Sequence, residues 1–196
     1  MRLDHLAVAA SDLSEGVAVV EEALGVTLDA GGQHVRFGTH NRLLGLGDIY
    51  LEVIAPEPGT DPGRPRWFGL DAFEGPPRLL TWLCAVDDLD TALDVHPTGA
   101  EALALSRGDL SWRFGARPDG ALPMEGLHPT FLEWAPGTRH PAERLPDRGC
   151  RLARLVVRHP QAATIPRPDD PRVALEACAT GIEAWIETPH GVRRLP

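Results

Sequence analysis

The strongest constraint on this chain is a pattern that occurs twice. Leu3 to Ala10 reads as a strand, and Ser11-Asp12-Leu13 then opens a helix with Leu13, Val17, Val20 and Leu24 at helical spacing and Gly25 at its end. Asp12 is placed to cap that helix, with Glu15 set to complete a capping box. Asp87-Asp88-Leu89, 76 residues after Ser11, repeats the arrangement: the strand Leu79–Val86 precedes it, and Leu89, Ala92 and Leu93 share a helix face before Pro97. A second landmark, Leu51-Glu52-Val53, returns as Leu132-Glu133-Trp134 at an offset of 81. Two landmarks in one order argue for internal duplication.

Between the landmarks lie short strand-like pieces. In the first half they are Val26–Asp29, His34–Gly38, Arg42–Leu46 and Asp48–Ala55, punctuated by Gly31-Gly32, Gly38 and Gly45. In the second half they are Leu103–Arg107, Leu110–Arg117 and Thr130–Ala135. Each half therefore runs β, α, then several β. The expected organisation is a first module over 1–56, a linker or lid loop over 57–78 carrying Trp67, Phe68 and Phe73, and a second module over 79–136. A partial third module over 150–196, with strands Leu152–Val157, Arg172–Ala177 and Ile182–Thr188, covers or extends the same body. The fold class is α+β.

Composition excludes several chemistries. All 19 basic residues are Arg, so a lysine Schiff base and pyridoxal-phosphate chemistry are out. A net charge of −9 argues against nucleic acid as a partner. No P-loop, dinucleotide fingerprint or serine elbow occurs. No apolar run is long enough to span a membrane, and the first residues carry no signal-peptide pattern. Cys84, Cys150 and Cys178 are sparse and far apart, which is the pattern of buried thiols in a reducing cytoplasm.

Leu3-Asp4-His5-Leu6-Ala7-Val8, the following helix and Leu51-Glu52-Val53-Ile54 resemble the vicinal oxygen chelate superfamily of glyoxalases, extradiol dioxygenases and bleomycin-resistance proteins. His34 to Leu43, with its Gly38-Thr39-His40-Asn41 core, and Pro129-Thr130-Phe131-Leu132-Glu133-Trp134 narrow the resemblance to the glyoxalase-like domain family. It implies tandem βαβββ modules with curved sheets facing a cavity, and metal ligands on the first and last strands of each. By position those ligands are His5, Glu52 and Glu133, with His40 as a further histidine. The counterpart of His5 is Thr81, which departs from the pattern.

Strand alternation puts His5, Glu52 and Glu133 each on a face of otherwise core residues. Imidazole plus carboxylate suits Zn, Fe, Mn or Ni, and Glu52 or Glu133 would shuttle a proton beside the ion. His34, Asn41, Trp134 and Arg113 are the candidate substrate contacts, and Asn41 is the only Asn of the chain. Each has a plainer reading. His5 serves equally as a strand histidine bonded to a carbonyl, Glu52 as the ion-pair partner of Arg36, Arg42 or Arg113, and Glu133 as that of Arg151 or Arg154. Trp82, Trp112 and Phe114 read as core. His96, His128, His140 and His159 each precede Pro and read as loop residues. Two functions stand side by side: a metal-dependent lyase, isomerase or dioxygenase acting on a small oxygen-rich metabolite, and a metal-free small-molecule binder. Whether the modules pair within one chain or across a homodimer is open at this level.

Overall fold

The computed structural model describes residues 1–196. Both halves follow the same course. The first is β1 (Arg2–Ala9), α1 (Leu13–Leu24), β2 (Asp29–His34), β3 (Thr39–Gly45) and β4 (Tyr50–Pro56). The second is β5 (Arg78–Ala85), α2 (Leu89–Val95), β6 (Glu101–Arg107), β7 (Leu110–Ala116) and β8 (Thr130–Trp134). Both helices start at an aspartate cap: Asp12 accepts the Glu15 N–H and Asp88 the Thr91 N–H, each at 3.0 Å, but the Glu15 side chain does not reach back to complete the expected capping box. Gly25 ends α1 in the left-handed conformation, φ 70°. Gly16 lets α1 lie close on the sheet, since a Cβ there would stand 2.7 Å from the Ala10 Cβ.

The eight strands make one sheet in the order β2-β3-β4-β1-β5-β8-β7-β6. The halves are not two separate sheets. They join edge to edge where β1 runs antiparallel to β5, and each first strand pairs parallel with its own last strand. The sheet curls until its outer strands approach: the Arg36 guanidinium, just after β2, donates to the Ala104 carbonyl of β6 at 3.0 Å.

Alternation along the central strands builds two cores. Leu6, Val8, Leu51, Val53, Trp82 and Cys84 bury the convex face against α1. Four further strands, β9 (Arg151–Arg158), β10 (Val173–Glu176), β11 (Gly181–Thr188) and β12 (Gly191–Arg194), form a second sheet. Its Leu155, Val157 and Ile186 join the convex core, so the C-terminal segment covers the large sheet and does not extend it. On the concave side Ala7, Ala9, Ile54, Leu83, Ala85 and Leu132 meet Trp67, Phe68 and Leu70 of the linker. The linker aromatics therefore fill part of the hollow. No helix is long and apolar enough to cross a membrane.

Three local expectations are corrected. The strand expected over Val26–Asp29 begins only at Asp29 and contains Gly31-Gly32. His34–Gly38 is not a strand: Val35–Phe37 is a single 3-10 turn closed by Gly38. Cys84 and Cys150 are buried but Cys178 is exposed.

Candidate functional site

The site grows from a bulge in β1. Leu3 lies opposite Cys84 and His5 opposite Leu83, so Asp4 is an extra residue in the ladder. The bulge lets Asp4 and His5, neighbours in sequence, meet one cluster. Asp4 Oδ1 accepts from His5 Nδ1 at 2.6 Å, and Oδ2 accepts from Trp134 Nε1 at 2.8 Å and His140 Nε2 at 3.1 Å. Burial pushes the Asp4 carboxyl pKa up, but the hydrogen bonds and charges of His140 and His5 outweigh it and hold the group well below the usual carboxylate range. With Nδ1 donating to Asp4, the other ring nitrogen of His5, Nε2, lies 3.7 Å from Glu52 Oε2. The His5 ring stacks on Tyr50, centroids 4.3 Å apart. Burial, then the Asp4 and Glu52 charges, push the Tyr50 hydroxyl well above its ordinary value.

Glu52 is held by Asn41, whose Nδ2 donates to Oε1 at 2.5 Å. The Asn41 oxygen receives the Gly32 N–H at 2.7 Å and Arg107 Nη1 at 3.3 Å, so donors on one side and a carboxylate on the other orient the amide. Arg107 also donates to His34 Nε2 at 3.1 Å, and His34 Nδ1 is 3.2 Å from Thr39 Oγ1. Burial and then the Arg107 charge pull His34 down to about 3, so it stays neutral. These groups line a narrow cavity of about 40 Å³ with Trp67, Phe68, Trp112, Phe114 and Trp134.

A pH effect follows. Between its ordinary 6.5 and about 3, His34 is protonated in the unfolded chain and neutral in the fold. Stability from this group is therefore lost as pH falls below 6.5, by up to about 1.4 kcal/mol per pH unit. Urea midpoints at pH 7.5 and 5.5 are expected to show that loss in the wild type and a clearly smaller one in His34→Gln. Equal losses contradict a neutral His34.

The structure brings His5, His34, Asn41, Glu52 and Trp134 together and leaves three candidates outside. His40 follows Ala55 and Arg42 onto the opposite face of β3 and β4 from Asn41. Glu133 turns away from Trp134: its Oε2 accepts the Leu89 N–H of α2 at 3.0 Å and Arg113 Nη1 at 3.1 Å. Arg113 is spent there and on Asp90 at 2.6 Å, so it reaches no substrate. The register explains Glu133. Glu52 lies opposite Ala7, and the equivalent position, opposite Leu83, is Thr130. Pairing Glu52 with Glu133 slips the duplication by three residues, an odd number, which reverses the face.

Asp4, Tyr50, Arg107 and His140 were not singled out as site residues. Tyr50 shares the Glu52 face by simple alternation, which is a readable signal. The others arrive by a bulge, a strand-end approach and a loop, which leave no local pattern.

A divalent ion, as the resemblance implies, finds only His5 and Glu52 here. No three His, Cys, Asp or Glu side chains converge as a metal centre. The second-half counterparts are Thr81 and Thr130, and the Arg107 charge lies on the amide that holds Glu52. This donor set does not fit the ion.

A comparison with curated proteins finds no match. A hypothetical protein from Staphylococcus aureus shares the architecture at 12% identity and TM-score 0.57, covering 98% of this chain and 84% of that one. Methylmalonyl-CoA epimerase from Mycobacterium tuberculosis aligns at 19% identity and TM-score 0.46, over 69% of this chain and 88% of its own. A methylmalonyl-CoA epimerase in complex with methylmalonyl-CoA and NH4+ aligns at 18% and 0.47, over 71% and 98%. Residues 3–167 match the family model described as a glyoxalase-like domain. The chain belongs to the glyoxalase-like domain family.

Proposed function

We propose that this protein is an acid–base enzyme of the lyase or isomerase type, which moves a proton on a small oxygen-rich molecule without a bound metal. One observation carries the reading: Asp4 fixes Nδ1 of His5, so that Nε2 and the Glu52 carboxylate point at each other, 3.7 Å apart, in a buried cavity. His5 Nε2 takes a proton from a carbon beside a carbonyl. The Asp4 carboxylate stabilises the imidazolium that forms and keeps the ring in place. Glu52, oriented by Asn41, is the second proton-carrying group on the cavity wall. The two-donor set lends no support to the dioxygenase reading. A passive binder has no use for an oriented base beside a carboxylate, which weighs against the sequestering alternative.

The test is deuterium uptake. A pool of small aldehydes, 2-oxo acids and β-keto compounds is incubated with the protein in D2O and read by proton NMR. His5→Gln and Glu52→Gln are expected to slow exchange about a hundredfold or more. Chelator treatment is expected to change nothing. Exchange that is equal in wild type and His5→Gln, or that a chelator abolishes, overturns the reading.

A further inference from the structure

Arg107 is the one guanidinium that lines the cavity. It sits at the end of β6 and crosses the seam of the curled sheet to His34 and Asn41. Both partners are neutral acceptors. Arg107 has no carboxylate within 4.0 Å, whereas Arg113, Arg117, Arg144, Arg148, Arg151 and Arg172 each hold one at 2.7 Å or less. Other arginines, Arg36 and Arg64 among them, also lack an acid, but Arg107 is the one whose half-buried guanidinium faces the cavity. A charge drawn out of water calls for a counter-charge, and here the protein supplies none.

The surroundings define what supplies it. Arg107 and Glu52 grip opposite ends of the Asn41 amide, so the path between them is about 8 Å. A molecule that reaches both spans only a few bonds. The cavity itself has room for a carbonyl-sized head, but it continues past Arg107 into a groove of about 610 Å³. Cavity and groove share His34, Trp67, Arg107 and Trp112. Trp112, half-buried, offers flat apolar surface to a flat ligand, while Trp67 is buried with Phe37 and Phe68 stacked on it and forms the floor. Arg107 is the only guanidinium in the cavity, Arg36 lying outside on the groove, and the Glu52 carboxylate is close, which favours a monoanion over a dianion there. The neutrality of His34 leaves that positive charge single.

We infer that Arg107 is the anchor for the carboxylate of a small, flat organic acid. Its apolar body lies in the groove along Trp112, and its acidic carbon, one or two bonds from the carboxylate, reaches His5 and Glu52. The guanidinium fork matches a carboxylate in two parallel hydrogen bonds. This assignment rests on the acid–base reading for the position of the reacting carbon, but the anchor itself is tested by binding alone.

The experiment is tryptophan-fluorescence titration of the full chain with benzoate, its neutral isostere benzamide, and the dianion phenyl phosphate. Benzoate is expected to quench saturably, and benzamide and phenyl phosphate to bind at least about tenfold more weakly. Arg107→Gln is expected to weaken benzoate at least about tenfold, Arg107→Lys less, and His5→Gln not more than about twofold. The benzoate–benzamide comparison uses wild-type protein, so a variant that fails to fold does not blunt it. Absent quenching by benzoate, equal affinity for benzoate and benzamide, or a folded Arg107→Gln that binds benzoate like wild type each overturns the anchor. Benzoate binding that depends on Arg107, with no deuterium exchange on any carbonyl compound, keeps the anchor and rejects the acid–base reading. Exchange that depends on His5 but not on Arg107 does the reverse.

Discussion

Asp4→Ala is expected to lose about 3–5 kcal/mol of stability, because it removes the buried, charged centre of its cluster. Three donors, His5 Nδ1, Trp134 Nε1 and His140 Nε2, then face an apolar methyl group. The loss corresponds to a fall in Tm on the order of 10 °C for a chain of this size. Asp4→Asn keeps the volume and one acceptor oxygen, so it is expected to fold better than the alanine variant. It presents an NH2 to one of the donors and removes the charge that steadies a protonated His5, so deuterium exchange still collapses. The wild-type carboxylate, held below its ordinary range, contributes its stability above about pH 4 and loses it as acid protonates the group. Thermal melts of the two variants at pH 7, with exchange rates alongside, check this. A folded Asp4→Asn with full exchange activity contradicts the role given to Asp4.

Gly31→Ala is expected to cost about 3 kcal/mol or more and to disable the site from outside it. The new Cβ would stand 2.0 Å from Asn41 Oδ1 and 2.4 Å from the Asn41 carbonyl oxygen, so β2 has to retreat from β3. The Gly32 N–H bond to Asn41 is then broken, and Glu52 loses the amide that orients it. Gly181→Ala, with nothing within 4 Å, is the control and is expected to stay within about 0.5 kcal/mol of wild type. Denaturant midpoints and exchange rates of both variants measure the difference. Equal behaviour of the two glycine variants rejects the close-contact argument.

The duplicated β–α–β course and the Asp12 cap were legible because each depends on residues a few positions apart. His5 and Glu52 were legible for a related reason, since polar groups on apolar strand faces stand out by period, and Asn41 stood out as the only Asn of the chain. The errors cluster where period and neighbourhood conflict. His40 with Asn41, and Glu133 with Trp134, are adjacent strand residues, and an unbroken strand sends such neighbours to opposite faces. Only one of each pair reaches the cavity. Asp4 and His5 break that rule through a one-residue bulge, which leaves no trace in composition. His140 and Arg107 arrive from positions 136 and 66 residues distant from the groups they contact, beyond any local pattern. The same limit hid the arginine partner of Glu133, which is Arg113 on the neighbouring strand and not Arg151 or Arg154.

The β1–β5 ladder has one more consequence, for timing. The two halves of the molecule share that central pairing, so they have no hinge about which to swing apart. Admission to the hollow is left to the Arg36 and Arg107 side chains that tie the outer strands across the seam. Side-chain rotamer exchange is far faster than the microseconds to milliseconds of domain closure, so the seam is expected to open without a slow collective motion.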